Sequence, residues 1–146
     1  MGGFLAFIGM FTFILREGSS LIFAALIWYL FWGGYVPTLD TPEQAYNLAV
    51  MAGLIAVIYL AIQALTVVLQ PVGQETRYLF DTLLSLVPLA MIGYAATQHI
   101  NGTTELPYHL VGVLWLFGLA AAADVFINTW IGLKLNKLAS DFVTMR

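Results

Sequence analysis

Arg16 and Glu17 stand side by side within residues 12–32, TFILREGSSLIFAALIWYLFW, a stretch otherwise apolar enough to cross a bilayer. Far along the chain, Asp124 and Asn128 are spaced to share one face of a helix, with Ala120 and Ala121 leaving room beside them for another backbone. An ionisable side chain at membrane depth costs roughly 2.5–3.5 kcal/mol at a helix centre on insertion scales, so it persists where something needs it. Two chemistries suit these residue types. A pairing of Arg16 with Asp124 or with Glu17 makes a buried ion pair that fixes packing and takes no substrate. If Glu17 and Asp124 instead face each other, with Ser19, Ser20 and Asn128 nearby, their oxygens make a hard-cation site with the two acids as metal ligands. Residue type and spacing leave both open.

The remaining polar residues point to structure more than to chemistry. Gln63 and Asn47 read as interhelical hydrogen-bonding groups. Asp81 follows Arg77 at the i,i+4 spacing of a helix-surface ion pair. His99 and His109 fall in or beside a connection, which argues against axial haem ligation inside a bundle and leaves an outer-face metal site with Glu105 as a minor alternative. Cysteine is absent, which excludes disulfides, thiolate metal sites and a cysteine nucleophile. There is no nucleophile elbow, phosphate loop or zinc-helix motif, so the chain does not read as an enzyme and needs no resident cofactor.

With 61% hydrophobic and 9% charged residues, the chain reads as an integral membrane protein. The fold class expected is all-α, a polytopic bundle of four transmembrane helices, because in lipid only helices or closed barrels satisfy their backbone. The 146 residues form one transmembrane domain, with spans at about 12–35, 44–69, 77–98 and 107–133 and an apolar N-terminal extension over 1–11. Were residues 2–35 one continuous helix, it would be about 50 Å long at 1.5 Å per residue, well beyond a ~30 Å hydrocarbon core. The segment must therefore protrude, tilt or break, and Gly18, Ser19 and Ser20 are the expected bend. Pro88 is expected to kink the third span.

The ends and faces of these spans carry further signals. Arg77, Lys134, Lys137 and Arg146 fall on one side and Asp40, Glu43 and Glu105 on the other, which by the positive-inside rule puts both termini in the cytoplasm. The membrane expected is a bacterial or archaeal cytoplasmic (inner) membrane. Trp28, Tyr29, Trp32 and Tyr35 suit an aromatic belt, with Tyr108 and Trp130 at opposite ends of the fourth span. Ala45, Ala49 and Gly53, and again Gly118, Ala122 and Ala123, suit close helix contact within the chain or with a partner. The net charge of −3, with no basic cluster, excludes nucleic acid as a partner. The partners expected are the lipid bilayer and either further copies of the chain or other membrane subunits.

The run Phe13, Ile14, Leu15, Arg16, Glu17, Gly18, followed by Ala24 to Ile27 and by Tyr29 and Leu30, resembles the first helix of the oxidase-dependent iron permease family, which carries an Arg-Glu-Gly-x-Glu motif there. The resemblance covers one helix in four. It implies that Glu17 is a transient ligand for a transported iron cation, flanked by Arg16 and Gly18. The motif's second glutamate is Ser20 here, and the family's second copy of the motif is missing, so the chain looks like half of such a protein, with an oligomer restoring the second copy. On this view Asp124, Ser20 and Asn128 supply supporting oxygens to Glu17 and Arg16 along an ion pathway. The rival expectation, from a different class, is a non-catalytic accessory subunit that packs against a larger respiratory or transport complex through spans two and four.

Overall fold

The computed structural model describes residues 2–33, 39–69, 75–131 and, in the tail, 133–134, 137–138 and 141. Among them the chain is helical with no strand: α1 (Gly2–Phe31), α2 (Pro42–Leu69), α3 (Glu75–Ile100) and α4 (Tyr108–Phe126), the last running into a π-helical turn at Ile127–Ile131. Each helix contains a segment long and apolar enough to cross a membrane: Gly9–Phe31, Pro42–Val68, Thr82–Ile100 and, spanning α4 and its π turn, Tyr108–Trp130. The protein is therefore an all-α, four-span integral membrane protein, as its hydropathy predicts.

Local chemistry sets the helix boundaries. Thr41, Pro42, Glu43 and Gln44 form a capping box: Thr41 Oγ1 accepts from the Gln44 amide at 3.3 Å, and Gln44 Oε1 accepts from the amides of Asp40 at 2.7 Å and Thr41 at 3.2 Å. Pro42 at the first helical position has no N–H to leave unpaired. The turn after α3 uses Gly102 at φ +69°, a conformation open to glycine without a Cβ penalty, and His99 Nδ1 accepts from the Leu106 amide at 3.2 Å. His99 thereby ties the α3–α4 connection together. Among the described residues no three His, Asp or Glu side chains gather as a metal site, so the outer-face alternative built on His99, His109 and Glu105 is not formed.

One expectation about α1, a break near Gly18, is corrected. The helix does not break at Gly18, Ser19 and Ser20; it is continuous from Gly2 to Phe31, and the residues before Thr12 simply extend it. Ser19 Oγ donates to the Arg16 carbonyl at 2.8 Å, which satisfies the hydroxyl on the helix itself. At 1.5 Å per residue α1 is ~45 Å long, so it is longer than the hydrocarbon core is thick. α3 carries Pro88, which is buried, inside its helical span.

α1 packs beside α2 and α3, and α4 also packs beside α2 and α3, so α1 and α4 face each other across the bundle's diagonal. Within the chain the packing stripe of α2 is Ala52, Ala56, Tyr59, Gln63 and Thr66. Ala49 is exposed and a Cβ at Gly53 would meet nothing within 4 Å. Asn47 is exposed as well, unlike the buried Gln63. On α4 the alanines that admit a neighbouring helix are the fully buried Ala120 and Ala121, while Ala122 points outward.

The aromatic residues divide. Trp28 and Tyr29 are exposed, as belt residues should be, and Tyr108 is 97% exposed. Trp32 instead turns inward, donating its indole N–H to Gln98 Oε1 at 3.2 Å and stacking on Tyr94. At the other end of α4, Trp130 stacks on Phe126 and lies under the Lys134 ammonium. Tyr35, Arg146 and the side chains of Arg77 and Asp81, on which the belt, the orientation and an i,i+4 pair partly rested, lie outside the described residues.

Candidate functional site

All four helices contribute to one buried polar network. From α1, Arg16 Nη2 donates to Asn128 Oδ1 at 2.5 Å, across the bundle diagonal. Asn128, in the π-helical turn that follows α4, uses its amide nitrogen twice, donating to Ser85 Oγ on α3 at 2.5 Å and to Asp124 Oδ1 at 3.0 Å. The other Asp124 oxygen, Oδ2, accepts from the Tyr59 hydroxyl of α2 at 2.5 Å. Gln63, one turn further along α2, turns its amide nitrogen to α1 and donates to Ser20 Oγ at 2.9 Å, Ser19 Oγ at 3.0 Å and the Arg16 carbonyl at 3.4 Å. Thus Arg16 is joined to Asp124 through Asn128, and Asn128 acts as the junction of three helices.

The carboxylate is fully buried, at 0% exposure, and Arg16 and Asn128 are nearly so. A buried charge is tolerated when its lone pairs are hydrogen-bonded and a counter-charge is near. Asp124 meets these conditions: each of its oxygens accepts a bond, and the Arg16 guanidinium acts on it electrostatically. Small residues make this possible, because Ala120 and Ala121 let α4 approach closely one turn before Asp124. The π turn matters too. Its i→i+5 bonding widens the helix where Asn128 must reach three partners, and such turns concentrate at functional positions.

The network sits off-centre in the bundle. Counted at about 1.5 Å per residue, Arg16 is ~10 Å from Gly9 but ~22 Å from Phe31, and Asp124 is ~9 Å from Trp130 but ~24 Å from Tyr108. Gln63, likewise, is ~8 Å from Val68 and ~32 Å from Pro42. On the far side of this level the interior becomes apolar, beginning with Phe23, which stacks on Tyr59 with ring centroids 4.2 Å apart and packs against Phe117 at 4.9 Å. Ile27, Ala52, Ala56 and Val113 continue the apolar core.

Of the residues expected from sequence, Arg16, Ser20, Asp124 and Asn128 are gathered into this network, and Gln63 forms the interhelical bonds predicted for it. Glu17 is buried at 7% exposure in the same part of α1. The oxygens of Asp124 are turned to Asn128 and Tyr59, an arrangement of protein donors around an acid rather than of oxygens around a cation. Tyr59 and Ser85 escaped sequence reasoning. Tyr59 was legible in principle, since Ala52, Ala56, Tyr59, Gln63 and Thr66 repeat at helical spacing and mark one face of α2. Ser85 has no such signature, being one hydroxyl in an apolar run.

The Tyr59 hydroxyl offers a clean test of the network. Tyr59→Phe leaves the ring stacked on Phe23 and removes only the donor to Asp124, so it is expected to cost about 1.5–3 kcal/mol, the range for a hydrogen bond to a charged group. Unfolding of the full chain in mixed micelles measures it, and a loss below a few tenths of a kcal/mol would mean the bond contributes nothing.

Fold and site together define a four-span integral membrane protein with an internal charge network linking all its helices. Compared with family models, curated protein sequences and solved structures, the chain matches none.

Proposed function

We propose that the protein is a non-catalytic helical subunit of a membrane assembly, and that the Arg16–Asn128–Asp124–Tyr59 network holds its four spans in one arrangement. The observation that carries this reading is the contrast between interior and surface. Asn128 spends its carbonyl on Arg16 and its amide nitrogen on Ser85 and Asp124, so the polar chemistry is turned inward. Outside, large apolar side chains such as Ile22, Val57, Val68, Trp115 and Leu119 are exposed along the spans, Ala49 is exposed, and a Cβ at Gly53 would meet nothing within 4 Å. In lipid, small residues on an outward face suit close approach by a neighbouring helix. Both termini are assigned to the cytoplasmic side of a bacterial or archaeal inner membrane, on the strength of the basic residues alone.

Extraction in a mild detergent, followed by native mass analysis and metal quantification of the same peak, tests this reading. Co-migration with stoichiometric partner subunits supports it. A free homo-oligomer carrying iron overturns it.

A second reading, permeation of a cation of the iron type between protomers of an oligomer, is favoured by Glu17. This second intramembrane acid lies next to Arg16 in the run that resembles the iron permease motif. Glu17→Gln is then expected to abolish iron uptake into proteoliposomes while leaving the oligomer intact. Unchanged uptake, or none in the wild type, would end the permeation reading.

A further inference from the structure

Among the described residues, most buried polar side chains lie at the network or towards one end of the bundle, and the buried side chains towards the other end are mostly apolar. Among the described residues, the buried side chains at the network and from there towards the nearer membrane face include Thr12, Gln63, Thr66, Ser85 and Asn128, with Val67 the apolar exception. Between the network and the farther face the interior holds the Phe23, Tyr59 and Phe117 rings and then aliphatic core. Simple helix packing calls for no such division, because lipid is as apolar as leucine and a uniformly apolar interior would pack as well. Polar groups inside a span that line one route mark pathways for ions or protons.

Gln63 adds an independent observation. Its side chain is fully buried, and Oε1 meets no hydrogen-bond donor among the described residues. In this orientation the amide nitrogen meets three oxygens, those of Ser19, Ser20 and the Arg16 carbonyl, the last of which can only accept. A buried carbonyl of this kind is ordinarily satisfied by an internal water. It lies on α2 between Thr66 and Tyr59, one turn from the acid's own donor.

We propose that Asp124 is a proton-exchange site served by water from one membrane face only, through the polar third lined by Thr12, Gln63, Thr66, Ser85 and Asn128, with the Phe23, Tyr59 and Phe117 rings sealing the other side. The serving face is the one on which α1 begins and α4 ends. The step is a simple exchange: an O–H bond of a hydronium ion breaks as an O–H bond forms on an Asp124 carboxylate oxygen, leaving water, and the reverse transfer returns the proton by the same route. Among the described residues, the titratable groups facing Asp124 are Arg16 from α1 and Tyr59 from α2, while α3 presents Ser85 and α4 presents Asn128. Arg16 is the counter-charge of the ionised acid. Tyr59 is both a donor to the acid and part of the seal, so it marks where the water route stops.

The chain contains no cysteine, so single cysteines report without background. Thr12→Cys, Thr66→Cys and Ser85→Cys, in the full chain reconstituted with one orientation, are exposed to silver ion from one side at a time; Ala52→Cys, Ala56→Cys and Val113→Cys serve as the apolar set. The expected result is that the polar set is blocked by silver only from the face where α1 begins, and the apolar set from neither. Protection of the polar set from both faces, or reaction of Ala56→Cys or Val113→Cys from the opposite face, overturns the one-sided route. Infrared titration then reads the acid directly. A carboxylic carbonyl band that follows bath pH and is lost in Asp124→Asn is expected, and the absence of any such band in the folded wild type overturns proton exchange even if silver enters.

Discussion

Replacing Arg16 by alanine is expected to lower the unfolding free energy by about 3–5 kcal/mol, the scale seen when one member of a buried charge pair is removed. The physical reason is what remains behind. Asp124 keeps its bonds to Tyr59 and Asn128, but it loses the guanidinium that acts on it through space and through Asn128. An uncompensated carboxylate at 0% exposure then has only neutral partners. The double variant Arg16→Ala with Asp124→Asn removes both charges, and the greater part of the loss is expected to return. Unfolding of the four proteins in the same mixed micelles closes a double-mutant cycle. Simple additivity, with no coupling between the two positions, would show that Arg16 stabilises the bundle through its hydrocarbon stem and not through its charge.

Asn128→Asp is the second large effect, expected at about 2–4 kcal/mol from the loss of the amide's donated bonds next to charged groups. Its value lies in shape. Aspartate fills the space of asparagine, so packing is conserved. Yet the amide nitrogen that donates to Ser85 and to Asp124 becomes a second carboxylate oxygen, one helical turn from Asp124. Like charges at that spacing repel, and the Ser85 hydroxyl must reverse its role. If the network merely occupies volume, this substitution is neutral in the unfolding assay; if its donors fix the helices, it is among the most damaging single-atom exchanges available in the chain. Comparison with Tyr59→Phe, which also alters one polar group and no packing, ranks the two donors of Asp124 against each other.

Both effects follow from the placement of Asn128 at the π-helical turn. In a regular α-helix a residue four along from Asp124 shares its face, and that much is periodicity. Reaching Arg16 on the diagonal helix and Ser85 on a neighbouring one at the same time depends on where α4 widens. Nothing in Ile127, Asn128, Thr129, Trp130 and Ile131 announces a π turn, because the i→i+5 pattern is a response to what the side chains must meet.

By itself, the sequence determined the class of protein and the number of spans. Apolar runs of membrane length admit only helices in lipid, and Gly, Pro and Asn-Gly punctuation ends them whatever their neighbours. It also singled out Arg16, Asp124, Asn128, Ser20 and Gln63, since a polar side chain in such a run is costly enough to be conspicuous. Only the tertiary structure decided which of these meet. The Arg16 to Asp124 link runs through Asn128 because α1 and α4 lie across a diagonal, with α2 and α3 filling the flanks. The same arrangement recruits Tyr59 and Ser85 and turns Ala52 and Ala56, rather than Ala49, to the interior. These are questions of rotation about each helix axis, and in a span that is apolar nearly all round the hydrophobic pattern exerts almost no torque on that rotation. Hydrogen bonds between helices supply it instead, and they exist only once the four helices are together.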